Sequence, residues 1–249
     1  MKIHIGCSGW QYREWRGLFY PDKLAQQHWF QYYTQHFNTV EINNTFYRYP
    51  KPETMVKWRE QAPAGFLYSL KAPRFITHLG KFVETERQIA EFYHLADILE
   101  DKLGCLLFQL PGSFKYHPEA LQRIVAQINP AYRNIIEFRD SSWWRNDVYE
   151  ALRTVNIGFC HVSAPAALPQ SLVPGAQFYL RLHGTRQWFL GSHSLTELQS
   201  WINKFQASGA EQAWIYFNNT MAGDAISDAK RLQQWIYSKL YKKAPVSKA

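Results

Sequence analysis

The stretch Asn134-Ile135-Ile136-Glu137-Phe138-Arg139 shows how this chain is built. Consecutive isoleucines are typical of a strand that is covered on both faces of a parallel sheet. Alternate side chains of a strand point to opposite faces, so Glu137 and Arg139 share one face while Ile136 and Phe138 share the other. The stretch therefore predicts a buried strand that becomes polar on one face as it reaches its carboxyl end.

Other short apolar runs of this kind alternate with segments of helical periodicity. They are Ile3–Cys7, Thr39–Asn43, Phe66–Lys71, Gly104–Leu110, Ile157–Val162, Phe178–His183 and Ala213–Asn218. Between them, apolar residues recur at helical spacing, as in the segment from Ile89 to Leu99, and Ser194 with Glu197 forms a capping-box pattern. Eight such alternations in 249 residues predict an α/β protein with a single (β/α)8 TIM-type barrel.

One unit of the barrel departs from the pattern. Pro165, Pro169, Pro174 and Gly175 lie between the sixth and seventh runs. A proline inside a helix costs about 3 kcal/mol, so we expect a Pro-rich loop in place of the sixth helix. We expect the barrel to occupy residues 1–240, followed by a basic C-terminal tail at 241–249.

Composition limits the classes of partner. The net charge is +8, but lysines near the C-terminus supply half of the excess and no basic stripe runs along a helix, so nucleic acid is possible but not favoured. No apolar stretch is long enough to span a membrane. The three isolated cysteines and the absence of a signal-peptide pattern predict a cytoplasmic protein with free thiols.

Polar side chains occupy the late positions of nearly every predicted strand. They include Glu41, Asn43, Lys71, Gln109, Glu137, Arg139, His161, Arg181, His183 and Asn218. The carboxyl ends of barrel strands meet at one face, where barrel enzymes build their sites. We therefore expect a pocket in which Glu41, Lys71, Glu137, Arg139, Arg181 and His183 converge.

These residue types suggest acid–base chemistry on an anionic ligand. Glu41 or Glu137 would be a general base, and Lys71 or His183 an acid or electrophile. Asn43, Arg139, Arg181 and Asn218 would bind the substrate, since the excess of cations favours a carboxylate or phosphate group. The alternative is a lattice of ion pairs that satisfies itself and braces the barrel.

A metal site is a weaker interpretation of the same residues. His161 and His183 together with Glu41 and Glu137 could hold a divalent ion, but the neighbouring Arg and Lys side chains oppose a cation. No HxH or HExxH spacing occurs, so we predict no metal ligands, and the sequence identifies no cofactor.

Aromatic residues concentrate in the loops that follow the strands. We expect most of them to pack these loops onto the barrel rim. Trp10 and Tyr47 are the two that we expect to contact a ligand, because rings beside a polar pocket can stack on sugars or bases.

Several segments together resemble the YecE-like "domain of unknown function 72" family. They are Gly6–Trp10, Thr39–Tyr47, Lys71–His78, Glu137–Arg139 with Trp143, Leu180–Gly184 and Tyr216–Asn219. The resemblance covers nearly the whole chain and implies a bacterial, cytoplasmic TIM-type barrel without an established activity. Two positions depart from the family pattern, because Asp228 stands where Asn is expected and His193 where Tyr is expected.

The residues of the predicted pocket favour an enzyme that acts on a small polar or anionic substrate, such as a sugar, sugar phosphate or organic acid. Two alternatives stay open, a ligand-binding protein without catalytic activity and a nucleic-acid-processing enzyme. The second rests on basic charge and on analogy with other barrels.

Overall fold

A computed structural model describes residues 2–165, 168 and 171–241 of the chain. Eight parallel strands form one sheet in the order β1-β8-β7-β6-β5-β4-β3-β2. The strands are β1 Lys2–Cys7, β2 Thr39–Ile42, β3 Leu67–Lys71, β4 Leu103–Leu110, β5 Asn134–Phe138, β6 Ile157–Ser163, β7 Gln177–Leu182 and β8 Gln212–Phe217. The sheet curls into a nearly closed barrel, which confirms the predicted fold class and places each strand within about one residue of its predicted run.

Helices alternate with these strands along the chain. They are α1 Trp29–Thr34, α2 Asn44–Tyr47, α3 Pro52–Gln61, α4 Glu86–Asp97, α5 Pro118–Gln127, α6 Asn146–Thr154, α7 Leu195–Ser208 and α8 Asp224–Tyr241. The Ser194 hydroxyl caps α7 by accepting a hydrogen bond from the Glu197 amide at 3.1 Å. The Glu197 carboxylate does not return to the helix start, because it binds His193 and Ser163 instead.

The connection between β6 and β7 contains no helix among its described residues, 164–165, 168 and 171–176. This part of the connection agrees with the expected Pro-rich loop, while Pro169 lies outside the described residues. Of the predicted basic tail, residues 242–249 also lie outside them, and α8 extends to Tyr241.

Side chains close the barrel where its backbone ladder is interrupted. Strands β1 and β2 are the ends of the sheet order, and the Tyr33 hydroxyl bridges them. It accepts from the Cys7 amide at 2.7 Å and donates to the Thr39 carbonyl at 3.0 Å. Gly6 permits this close approach, because a Cβ there would lie 2.0 Å from the Thr39 carbonyl oxygen.

The barrel has an inner and an outer apolar core. The inner core fills the lumen with side chains that include Leu107, Ile135, Val162 and Trp214. The outer core joins the strands to the helices, and its members include Ile136 and Phe138 on the opposite face of β5. The polar site therefore lies above an apolar plug in the lumen.

Most aromatic residues of the rim are buried or half-buried, which agrees with the expectation that they pack the loops onto the barrel. Trp15 and Trp143 are fully buried, and Tyr20 stacks on Trp29 with their centroids 4.5 Å apart. Tyr47, in contrast, is 72% exposed. Among the described residues, no helix combines the length and apolar character that crossing a membrane requires.

Candidate functional site

The polar ends of the strands meet around Arg181, which is buried in the lumen near the end of β7. Its Nη2 and Nε donate to Glu41 Oε1 at 2.8 and 3.2 Å, and its Nη1 donates to Glu137 Oε2 at 2.8 Å. Arg181 thereby joins β2 to β5 across the barrel. We call Glu41, Glu137, Arg139, Arg181 and His183 the lumen network.

Glu41 is completely buried, and donors surround both of its carboxylate oxygens. Besides Arg181, the Ser8 hydroxyl donates at 2.8 Å, the Asn43 amide at 3.1 Å and the Tyr179 hydroxyl at 2.7 Å. Burial alone would raise the pKa of Glu41, but Arg181 and these hydroxyl donors outweigh it and lower the pKa. Glu41 is therefore ionised, and each of its oxygens accepts at least one hydrogen bond.

Glu137 is held in the same way by two guanidinium groups. Its Oε1 accepts from Arg139 Nε, and its Oε2 accepts from Arg181. Burial favours the neutral acid, but Arg139 and Arg181 hold the pKa of Glu137 well below its usual range. Both predicted carboxylates are thus ionised at neutral pH and paired with arginine.

His183 is a neutral link between Arg139 and Asn218. Arg139 Nη2 lies 3.1 Å from His183 Nε2, and the Asn218 side-chain amide lies 3.0 Å from Nδ1. Because a guanidinium only donates, Nε2 accepts and Nδ1 carries the proton, so the Asn218 carboxamide must present its oxygen to Nδ1. Burial, Arg181 and Arg139 hold the pKa of His183 well below its usual range, which agrees with a neutral ring.

Lys71, the last residue of β3, has no carboxylate within 4 Å among the described residues. Its ammonium lies 3.9 Å from the centroid of the Phe46 ring. Burial and the guanidinium groups of Arg181 and Arg139 lower the pKa of Lys71 to about 7, although Glu137 and Glu41 oppose the shift. Lys71 is therefore partly neutral near pH 7, and no ion pair within the described part of the chain stabilises its ammonium form.

His78 lies beside Lys71, on the loop between β3 and α4. Its ring contacts Phe46 with their centroids 4.8 Å apart, and burial together with Lys71 and Arg139 lowers its pKa to about 4. One turn of π-helix, Phe75–Leu79, carries the residue. Farther along the loop, Lys81, Phe82 and Glu84 have φ values of 50°, 60° and 51°. These left-handed conformations cost about 1–2 kcal/mol per residue, and such strain often accompanies functional sites.

Two cavities open beside the lumen network. The first, of about 200 Å³, is lined by Ser8, Trp10, Asn43 and Trp58, among other residues, and reaches the partners of Glu41. The second, of about 610 Å³, contains Tyr47 and shares Asn44 and Trp58 with the first. The two aromatic residues that we expect to contact a ligand thus line adjoining spaces at the rim.

The expectation that His161 joins the other polar residues is wrong. Cys160 and Val162 face the lumen, so His161 points outward, where it stacks on Phe178 with their centroids 4.7 Å apart. Its Nε2 accepts from the Val173 amide at 3.2 Å. Within the described residues, no group of three or more His, Cys, Asp or Glu side chains is arranged to hold a metal ion.

The two positions that depart from the family pattern touch each other in a second buried network. The Asp228 carboxylate accepts from the His193 amide at 2.8 Å, and it also binds Asn219, Ser192 and Arg231. The His193 ring joins the Gly184 amide to the Glu197 carboxylate at 3.2 and 3.0 Å. We call Asp228, Arg231, His193 and Glu197 the clamp network, since it fixes the loop after β7 to α7 and α8.

Sequence reasoning missed three residues of the site. Tyr179 shares the parity of Arg181, two residues earlier in β7, so the alternation that identified Arg181 could also have found it. His78 and Phe46 lie in irregular segments after β3 and β2, where alternation gives no direction. Only their position a few residues after a strand with a polar carboxyl end could have suggested them.

Relatives of this chain carry no assigned activity in their names. YecE of Escherichia coli, named a UPF0759 protein, is 32% identical over 112 residues, which cover 45% of this chain and 39% of YecE. The aligned segment thus spans less than half of that relative. YunF of Bacillus subtilis, also named a UPF0759 protein, is 26% identical over 268 residues and covers 92% of this chain and 93% of YunF.

Solved structures agree with the fold. A DUF72 family protein from Thermotoga maritima has a TM-score of 0.85 at 24% identity and covers 95% of this chain and 99% of its own. The 3-keto-D-glucoside 4-epimerase YcjR of Escherichia coli has a TM-score of 0.55 at 12% identity, covering 96% and 99%. A family model described as "Protein of unknown function DUF72" matches residues 4–248. This chain therefore belongs to the DUF72 family.

Proposed function

We propose that this chain is an enzyme that acts on a small polar substrate with an anionic group, bound at the carboxyl ends of the strands. One observation carries the proposal. Lys71 Nζ and Arg139 Nη1 have no hydrogen-bond acceptor among the described residues, whereas every side-chain nitrogen of Arg181 has one. Neither atom is fully buried, so both reach the surface of the protein.

The charges of the site favour the same class of substrate. Lys71, Arg139 and Arg181 are three cations, and Glu41 and Glu137 are two anions, so one positive charge is left over when Lys71 is protonated. Arginine beside lysine is a common receptor for carboxylate and phosphate groups. The proposal therefore favours organic acids and sugar phosphates over neutral sugars.

Lys71 is the residue best suited to exchange a proton with the substrate. A pKa of about 7 gives similar amounts of amine and ammonium near neutral pH, where general acid–base catalysis is most effective. Glu41 and Glu137 take a different role from the one expected from sequence, because arginine occupies them. We assign them, with His183 and Asn218, to holding Arg181 and Arg139 in place.

The rim supplies the remaining contacts in this proposal. Asn43 and Trp10 line the cavity of about 200 Å³, and Tyr47 lines the cavity of about 610 Å³, so a substrate that extends into these cavities would meet aromatic rings. The name of the fold neighbour YcjR refers to a sugar derivative, but at 12% identity it supports a shared fold alone. The buried free thiols of Cys7, Cys105 and Cys160 suit a cytoplasmic location.

Ligand binding without catalysis is the second candidate. It is favoured by the pairing of both carboxylates with arginine, which is what a network that braces the barrel would show. A protein of this kind would bind the same anions but return them unchanged. Mass spectrometry of a bound compound before and after incubation separates the two candidates.

A binding screen with matched variants tests the proposal. Sugars, sugar phosphates and organic acids are screened by the rise in melting temperature, and affinities are measured by calorimetry. We expect an anionic compound to bind, and Arg139→Gln to weaken it at least about tenfold, because a charge-assisted hydrogen bond contributes about 1.5–3 kcal/mol. Arg153→Gln, at an exposed ion pair, is the control. The proposal is wrong if no anionic compound binds in a way that depends on Arg139.

A further inference from the structure

We propose that Lys71 is a covalent nucleophile whose amine forms an imine with the carbonyl carbon of a 2-oxo acid. The inference rests on the proposed function, to which it adds the substrate class and a chemical step. Three features carry it, and they concern the pairing of the amine, its surroundings and the neighbouring anion receptor.

The first feature is the absence of an ion pair. Charged side chains with little exposure are normally paired, and two ionised carboxylates lie in this lumen. Arginine binds both of them, so neither Glu41 nor Glu137 lies within 4 Å of Lys71. The amine is thus left free at the end of β3, and its Nζ reaches the surface.

The second feature is the set of groups around the amine. Charged or titratable residues that interact with Lys71 come from several elements and are Glu41, Glu137, Arg139, Arg181, His78 and His183. The two histidines are neutral near pH 7, and burial together with the guanidinium group of Arg181 disfavours the ammonium form, although Glu137 and Glu41 oppose the shift. Phe46 covers one side of the amine at 3.9 Å, and its ring face stabilises the ammonium, but burial and the guanidinium groups outweigh this contact. Such surroundings favour the neutral, nucleophilic amine.

The third feature is the position of the anion receptor. In a 2-oxo acid the carboxylate is bonded directly to the carbonyl carbon, so the group that binds it must neighbour the nucleophile. Arg139 is the candidate receptor, because its Nη1 has no acceptor among the described residues and it is one of the charged groups that interact with Lys71. A carboxylate held there would place the adjacent carbonyl toward the amine.

The reaction is a reversible condensation. The lone pair of the neutral Lys71 amine forms a C–N bond, and the carbonyl π electrons move to oxygen, which takes a proton to give a carbinolamine. After the nitrogen loses a proton and the hydroxyl gains one, water leaves and the C=N bond forms. Water at the open end of the site can carry these protons, because Lys71 Nζ reaches the surface. No oxidant or reductant takes part.

Reductive trapping tests the inference. The protein is incubated with glyoxylate, the smallest 2-oxo acid, and cyanoborohydride at about pH 7, and the adduct is located by peptide mass spectrometry. We expect Lys71 to be labelled at least about tenfold faster than any exposed lysine, because ordinary lysines have a pKa of about 10.4. Lys57, exposed on α3, serves as the internal reference. Lys71→Arg keeps the charge and should lose the fast adduct.

The outcomes separate this inference from the proposed function. Labelling of Lys71 at or below the rate of Lys57 overturns the imine, whatever the variants do. If an anion still binds through Arg139 in that case, the proposed function stands without the covalent step. Fast labelling of Lys71 in a protein that binds no anion would support the nucleophile and contradict the proposed function.

Discussion

The lumen network and the clamp network are both buried and charged, but they differ in where their unused polar atoms lie. Among the described residues, Arg231 Nε in the clamp network and Oδ1 of Asn219, which binds Asp228, have no partner and are sealed from solvent. In the lumen network, the unused donors are Arg139 Nη1 and, beside it, Lys71 Nζ, and both reach the surface. An unused donor that solvent can reach is available to a ligand, whereas a sealed one only weakens the fold. This difference favours the proposal that the lumen network binds a ligand and that the clamp network supports the fold.

The largest effect is expected when the lumen network loses its central cation. Arg181→Met leaves Glu41 and Glu137 buried with an uncompensated charge, which costs about 3–5 kcal/mol of unfolding free energy. The lowered pKa of both carboxyls means that wild-type stability from these pairs is present above about pH 4.5 and declines as pH falls below it. Urea unfolding measures both effects.

The control for this variant is an exposed pair of the same chemistry. Arg153→Met removes a surface contact with Glu150 and should change stability by about 0–1 kcal/mol. If Arg181→Met costs no more than Arg153→Met, the lumen network does not depend on its central arginine.

Lys71→Met should raise the free energy of unfolding, whereas Arg181→Met should lower it. The pKa of Lys71 is lowered to about 7, so the folded state disfavours the ammonium and its cost is largest below about pH 7. The cost is relieved as pH rises toward the unfolded pKa of about 10.4. We expect Lys71→Met to raise stability by about 2 kcal/mol at about pH 6, after discounting for partial exposure, and by less at about pH 9. A pH-independent change in urea unfolding would contradict this assignment.

Asp228→Asn should have the smallest effect of the three. Its oxygen can still accept from His193 and Asn219, while its amide turns toward the Ser192 hydroxyl, which can accept. Arg231 is 41% exposed and can turn to solvent. We expect a loss of about 1–2 kcal/mol in urea unfolding and no change in anion affinity. A drop in affinity comparable to that of Arg139→Gln would show that the clamp network takes part in binding.

Much of the fold follows from the sequence because each strand carries its own signal. Alternation located all eight strands and the face on which Glu41, Glu137 and Arg181 lie. It placed His161 on the wrong side, since one residue of register reverses every side chain. Alternation gives no information on which side chains bond to each other. Only the structure shows that Tyr179 and Arg181 donate hydrogen bonds to Glu41, and these bonds argue against Glu41 as a free base.

The missing backbone ladder between β1 and β2 affects the order in which the barrel is completed during synthesis. The first strand pairs through its backbone with the last, in the register Cys7 to Phe217, while its sequence neighbour is joined through the Tyr33 side chain. The ribosome releases β1 long before β8, so the amino-terminal strand must wait for nearly the whole chain before its ladder can form. Until then, Tyr33 offers β1 its first native hydrogen bond.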